Sequence, residues 1–259
     1  MKNNTVIRCE HLHKTYVSRF GKKNTAVKDV SLSINEGETF GLVGESGCGK
    51  TTLGYMLLDL LKPSDGRVFF YGKDTAKFDR KERKNFRRNC QIVFQDPYSA
   101  IDGKKKLSFL IREGLDIHGV NNTKEKREEL VARIMENVGL DPFMKDRRPE
   151  TLSGGQRQRV AIAQALVLSP KFVVCDEIVS SLDVLIQAQV LDLLKKLQKQ
   201  FSLTYLFISH NLNVVCYMAD RIAVMYKGEI VETGSVEQIL KAPCHPYTKE
   251  LFNCAKLIG

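Results

Sequence analysis

At 259 residues with 43% hydrophobic side chains, the chain has room for one large α/β domain or for such a domain carrying a helical insertion, and two independent domains would be tight. No run approaches the roughly 18 to 20 apolar residues of a spanning helix, and Met1-Lys2-Asn3-Asn4-Thr5 lacks the apolar core of a signal peptide, which argues against embedded and exported classes and for a soluble, cytoplasmic protein. The 7 cysteines contain no C-x-x-C pair, against a disulfide framework or zinc site, while a formal net charge of +10 favours an anionic contact such as nucleotide, nucleic acid or a membrane's inner leaflet.

In chain order, Thr39-Phe40-Gly41-Leu42-Val43 is a nearly continuous apolar run of the kind that forms a buried parallel strand, and Lys50 to Leu61 follows with a helical pattern. The turn Pro63-Ser64-Asp65-Gly66 leads into a strand and turn over 66–73, and Gln91-Ile92-Val93-Phe94 reads as another buried strand. Leu107 to His118 and Thr123 to Val138 are consecutive helical patterns with no strand between them, the second opened by a Thr123 cap. Then come a strand at Phe172-Val173-Val174-Cys175, a helix over Val184 to Gln200, a strand over Leu203 to Ile208 and a hairpin over Met225 to Val231. The alternation predicts a three-layer α/β core from 1–100 and 166–234, with a helical subdomain at 101–165 and a tail at 235–259.

Three short segments carry the chemistry. Gly44-Glu45-Ser46-Gly47-Cys48-Gly49-Lys50-Thr51 is a G-x-x-x-x-G-K-T sequence between a predicted strand and a predicted helix, the context a P-loop requires. Its glycines let the backbone curl into a nest of N–H groups, the helix adds its positive end, Lys50 neutralises β- and γ-phosphates, and the Thr51 hydroxyl ligates Mg²⁺. A predicted strand ends in Asp176-Glu177, where Asp176 would hold Mg²⁺ through water and Glu177 would orient or deprotonate an attacking water. Alone, such a pair is more often a helix cap, and a P-loop alone leaves kinases, GTPases and helicases open. The third segment, Thr151-Leu152-Ser153-Gly154-Gly155-Gln156-Arg157, offers a serine, two glycine amides and a helix start, and alone would read as only a helix-starting loop.

Those segments together resemble the ABC family of ATPases over almost the whole chain. The resemblance implies a P-loop NTPase (RecA-like) core, a β-rich N-terminal subdomain, an inserted α-helical subdomain, and hydrolysis of ATP with Mg²⁺. It also implies a nucleotide site made of Tyr16 stacked on adenine, Gly44, Glu45, Ser46, Gly47, Cys48, Gly49, Lys50, Thr51, Thr52 and Gln95, with Thr51, Gln95 and Asp176 on Mg²⁺. Glu177, His210 and Lys50 are the implied catalytic residues, Asp183 in Ser180-Ser181-Leu182-Asp183 the D-loop residue at a dimer interface, and Ser153, Gly154, Gly155 and Gln156 act in trans on the ATP of a second subunit.

Within the family, the wording of 41–50, of Val93-Phe94-Gln95-Asp96-Pro97-Tyr98-Ser99, of 184–190 and of the tail Ala242-Pro243-Cys244-His245-Pro246-Tyr247-Thr248 is similar to bacterial oligopeptide, dipeptide and nickel importer ATPases. The implied partners are two membrane permease subunits, a second ABC ATPase (a different chain, as this branch more often uses, or a second copy) and an extracytoplasmic substrate-binding protein, with the chain peripheral on the cytoplasmic face of the membrane. No nucleic acid is expected; the competing class, a soluble ABC ATPase acting on nucleic acid or ribosomes, would suit the net charge of +10. Cys244 and Cys254 alone cannot build a four-thiolate cluster, so no iron–sulfur centre is expected. Gln164, Ile178 and Ile101-Asp102-Gly103-Lys104 depart from the usual arginine, proline and Leu-Asn-Pro-Arg.

Overall fold

The computed structural model describes residues 4–18, 21–96, 101–120 and 123–254, so Met1-Lys2-Asn3 of the start and Pro97-Tyr98-Ser99 of the family wording lie outside the described residues. The chain divides into two compact units, Met1–Arg83 with Thr204–Gly259, and Lys84–Leu203.

In the first unit, β1 (Thr5–Val17) and β2 (Lys23–Asn35) pair antiparallel, with bulges where His11 and Asp29 take positive φ. Strand β3 (Thr39–Val43) is buried at every position and runs into the glycine loop and helix α1 (Lys50–Leu57). β4 (Asp65–Phe70) and β5 (Lys73–Asp74) complete a sheet of order β2-β1-β4-β5, joined by a Tyr71-Gly72 turn with φ of 47° and 77°, as a tight right-twisted hairpin demands.

Helix α1 stops at Leu57, short of the Leu61 expected from its pattern. Asp59 adopts a left-handed φ of 56°, the Leu60 and Leu61 amides both turn back to the Tyr55 carbonyl, and the Asp59 carboxylate pairs with Arg83. A local closure at the helix end therefore overrides the apolar run Leu57-Leu58-Asp59-Leu60-Leu61. Helix α2 (Arg80–Asn89) follows, with Phe86 its sole buried side chain.

The second unit pairs β6 (Cys90–Val93) with β7 (Phe172–Asp176) in parallel, Val93 beside Cys175. Helices α3 (Leu107–His118) and α4 (Lys124–Asn137) match their sequence patterns, and the Thr123 hydroxyl accepts from the Lys126 amide as the predicted cap. Helices α5 (Gly154–Leu166) and α6 (Val184–Phe201) complete this unit. Gln164 donates to the Leu110 carbonyl at 3.3 Å and Ile178 is fully buried, so both departures are accommodated by local packing.

The chain then returns to the first unit with β8 (Thr204–Ile208), α7 (Leu212–Met218), β9 (Arg221–Tyr226), β10 (Glu229–Ser235), α8 (Val236–Lys241) and α9 (Pro246–Cys254). β3 lies between β8 and β9, parallel to both, and β10 closes the edge antiparallel through a Lys227-Gly228 turn. Continuous apolar runs at β3 and β8 follow from this placement, because α7 covers the sheet closely enough that a Cβ on Gly41 would meet Val215 Cγ1 at 2.4 Å. The Asp220 carboxylate accepts from the Thr39 amide at 2.8 Å and fixes where β3 begins. Among the described residues, no helix is long and apolar enough to cross a membrane. Burial pushes the Cys9 thiol up to about 12 and raises those of Cys90 and Cys175 as well, keeping all three as neutral core side chains.

Candidate functional site

The loop between β3 and α1 is bent by three glycines at φ of 150° (Gly44), 78° (Gly47) and 113° (Gly49), values that side chains with a Cβ rarely adopt. Two of them are also pressed against backbone. A Cβ on Gly44 would lie 2.1 Å from the Met225 carbonyl oxygen, and one on Gly49 2.2 Å from that of Ala26, whereas one on Gly47 would meet nothing within 4 Å. Helix α1 then starts at Lys50 with no side-chain cap and no acidic residue in its first turn, which leaves its positive end uncompensated and suited to an anion.

Lys50 is 4% exposed, and its Nζ donates to the Gly44 and Glu45 carbonyl oxygens, both at 2.8 Å, so the ammonium is held across the concave side of the loop. Burial raises the Cys48 thiol above its usual pKa even though Lys50 pulls the other way, so the cradle carries no competing thiolate. Glu45, Ser46, Gly47 and Thr51 are exposed, Thr52 is half-buried and Cys48 and Gly49 are buried.

Other predicted residues of this unit fall at the same sheet end or on the hairpin. Leu42 pairs with Ile208 in register, so Gly44 and the exposed His210 both emerge two residues past a matched pair. Tyr16, near the end of β1, is 44% exposed and lines an open depression of about 530 Å³ with Val17, Ser18, Lys22, Lys23 and Asn24, where the Lys14 ammonium lies 5.5 Å from its ring centre. A flat apolar face beside cationic groups matches the needs of a purine.

The second unit gathers the carboxylates. Val93 pairs with Cys175, so Gln95 and Glu177 also lie two residues past a matched pair, and Gln95 Nε2 donates to Glu177 Oε2 at 3.3 Å. Glu177 itself takes φ of 47°, an uncommon left-handed conformation for glutamate, stabilised by its carbonyl accepting from the Ser180 amide and hydroxyl at 3.1 and 2.8 Å. Asp176 ends β7 only 2% exposed. Asp176 offers a buried carboxylate and Gln95 a side-chain amide oxygen, an all-oxygen donor set of the chemistry a hard dication such as Mg²⁺ prefers.

Ser153, Gly154, Gly155 and Gln156 form the start of α5. The Ser153 hydroxyl accepts from the Gln156 amide at 3.3 Å while Gln156 Oε1 accepts from the Ser153 amide at 3.0 Å, a complete capping box. A Cβ on Gly155 would lie 2.6 Å from Ile186 Cγ2, so this glycine is required for contact with α6 as well as for an open amide. Asp183, the predicted interface residue, caps α6 by accepting from the Ile186 amide at 3.0 Å.

One neighbour of the loop escaped the sequence reading. The Tyr247 hydroxyl accepts from the Glu45 amide at 3.2 Å, although the tail motif containing it reads chemically as a surface turn. Tyr247 is 8% exposed; the signal available in sequence was a large aromatic inside a specific tail motif.

The glycines give a direct test of the cradle. Gly49→Ala should abolish ATP binding, since it combines a forbidden φ with a backbone collision, whereas Gly47→Ala faces only the backbone term of about 1 to 2 kcal/mol and should retain binding weakened by roughly 5- to 30-fold. Titration of both variants with ATP checks this ordering; equal losses would contradict it.

The profile of the family described as ABC transporter matches residues 27–180. The chain is 45% identical over 253 residues to the oligopeptide transport ATP-binding protein OppF of Bacillus subtilis (strain 168), which covers 97% of this chain and 83% of that relative. It is 47% identical over 237 residues to the dipeptide transport ATP-binding protein DppF of Lactococcus lactis subsp. cremoris (strain MG1363), covering 90% of this chain and 76% of the relative. Its fold is similar, with a TM-score of 0.79 and 28% identity over 89% of this chain and 98% of the other, to a dimeric ATP-binding cassette in a post-hydrolysis state bound to ADP and Pi.

Proposed function

Because the chain belongs to the ABC transporter family, an ATP-hydrolysing family built on the P-loop NTPase fold, we propose that it is the ATPase subunit of an importer for oligopeptides or dipeptides. The single observation that carries the nucleotide chemistry is the loop Gly44–Thr51, whose backbone and buried Lys50 converge at the uncapped start of α1. Peptide cargo is supported by the relatives, named for oligopeptide and dipeptide transport. Nickel and nucleic acid find no such support.

In this reading the P-loop through Thr52 grips the phosphates, Tyr16 stacks on adenine, and Thr51, Gln95 and Asp176 are the residues that would hold Mg²⁺. The metal, when bound, neutralises charge on the β- and γ-phosphate oxygens. Glu177 takes the proton from water as the water oxygen bonds to the γ-phosphorus, and the bond to the bridging oxygen breaks to release ADP and phosphate. His210 steadies the γ-phosphate.

A second ATPase subunit, a different chain or another copy, supplies its own Ser153–Gln156 segment, with Asp183 at the shared face. The dimeric cassette of similar fold supports pairing. ATP then closes the pair and hydrolysis opens it, because the γ-phosphate makes contacts that ADP lacks. Two permease subunits read this motion at the cytoplasmic face of the membrane, and an extracytoplasmic binding protein delivers the peptide. Deleting the chain from its host should abolish uptake of a labelled oligopeptide or dipeptide, and restoring it should recover uptake. Unchanged peptide uptake would overturn the proposed cargo; loss of nickel uptake instead, or co-sedimentation with ribosomes, would identify the alternative.

A further inference from the structure

The sharpest contact outside the known motifs joins residues 202 positions apart, the Glu45 amide and the Tyr247 hydroxyl. Glu45 is the second residue of the P-loop, so this bond acts where the chain leaves the sheet and begins to curl. Behind it, the Tyr247 ring stacks on Tyr226 with centroids 4.0 Å apart and planes at 27°. Tyr226 directly follows Met225, whose carbonyl is the wall against Gly44. The first two residues of the loop are therefore set from one side by the end of β9 and from the other by the tail.

The tail is itself anchored. The Glu232 carboxylate of β10 accepts from the Cys244 and His245 amides at 2.8 and 3.0 Å, Pro246 opens α9 where no amide is needed, and Phe252 is fully buried. Tyr247 is thus delivered at a fixed height above the sheet end. Burial raises its hydroxyl above the usual phenol pKa, so it remains a neutral group at physiological pH.

We propose that Tyr247 is a positioning residue for nucleotide binding: its hydroxyl fixes the Glu45 amide, so that the amides of the rest of the loop curve toward the phosphates, and the tail thereby tunes affinity for ATP. This rests on the ATPase reading of the P-loop and adds to it a contribution from a segment outside the phosphate-binding motifs. Tyr247 touches no nucleotide and acts through the shape of the loop.

The test uses the full chain. Tyr247→Phe keeps the ring and its stack but deletes the acceptor, and the loss of one hydrogen bond should raise both the Kd and the KM for ATP about 5-fold, with kcat at saturating ATP within about 2-fold. A purely structural tyrosine would lower the melting temperature without this split. Independently, hydrogen exchange at the Glu45 amide of the unaltered chain without nucleotide should be slowed; exchange at the rate of an exposed amide overturns the proposal. So does a Tyr247→Phe variant with unchanged Kd while Lys50→Ala loses ATP, an outcome that leaves the ATPase reading standing. Failure of the unaltered chain to bind ATP removes both.

Discussion

Glu177→Gln should lower kcat for ATP hydrolysis by about 10²- to 10⁴-fold while leaving ATP affinity within about 2-fold. The substitution is close to isosteric, and glutamine can still accept from Gln95 Nε2 through its own amide oxygen, so the turn held by Ser180 has no reason to change. What disappears is the basic oxygen that receives the water proton in the proposed mechanism. Since Glu177 already occupies a φ of 47°, replacing it with another residue carrying a Cβ adds no new backbone cost. Binding without turnover should then trap the ATP-closed pair, visible as a dimer on size exclusion with ATP and Mg²⁺ and as missing phosphate release. Full turnover in the variant would remove Glu177 from the reaction.

Lys50→Ala should instead strike binding itself, raising the Kd for ATP by about 10²-fold, as expected when a charge-assisted grip on two phosphates is lost. Lys50 is 4% exposed and its ammonium is held by two carbonyls of its own loop, so the side chain is already folded over the cradle. Little conformational freedom remains to be lost when phosphate arrives. ATP at 100 times its Kd stabilises a protein by about 2.7 kcal/mol, and in the variant the same concentration, about equal to the raised Kd, should contribute only about 0.4 kcal/mol, removing most of the rise in melting temperature. Unchanged affinity would contradict the role given to the loop.

The two variants separate grip from chemistry, and both residues were legible because their signals are local. A G-x-x-x-x-G-K-T run between strand and helix, and a buried strand ending in Asp176-Glu177, are properties of a few consecutive residues, as is the Thr123 cap. Helix α2 was not legible, since with Phe86 alone buried it has no apolar stripe to produce a helical period. The early end of α1 depends on an ion pair with Arg83, and the placement of Tyr247 depends on folding the tail back over β9; neither is encoded by neighbours in sequence. Gly155 shows a mixture of both: the motif identifies it as an open amide, but only the packing of Ile186 reveals that it also sets the approach of two helices.

The capping box at Ser153 bears on why a hydroxyl stands there. Its oxygen receives the Gln156 amide and ties up electron density toward the helix, while the hydroxyl proton can still point outward. An aspartate would cap the helix equally well but would set a negative charge before a triphosphate. Serine therefore serves two masters with opposite polarity, one inside its own subunit and, in the proposed pair, one belonging to its neighbour.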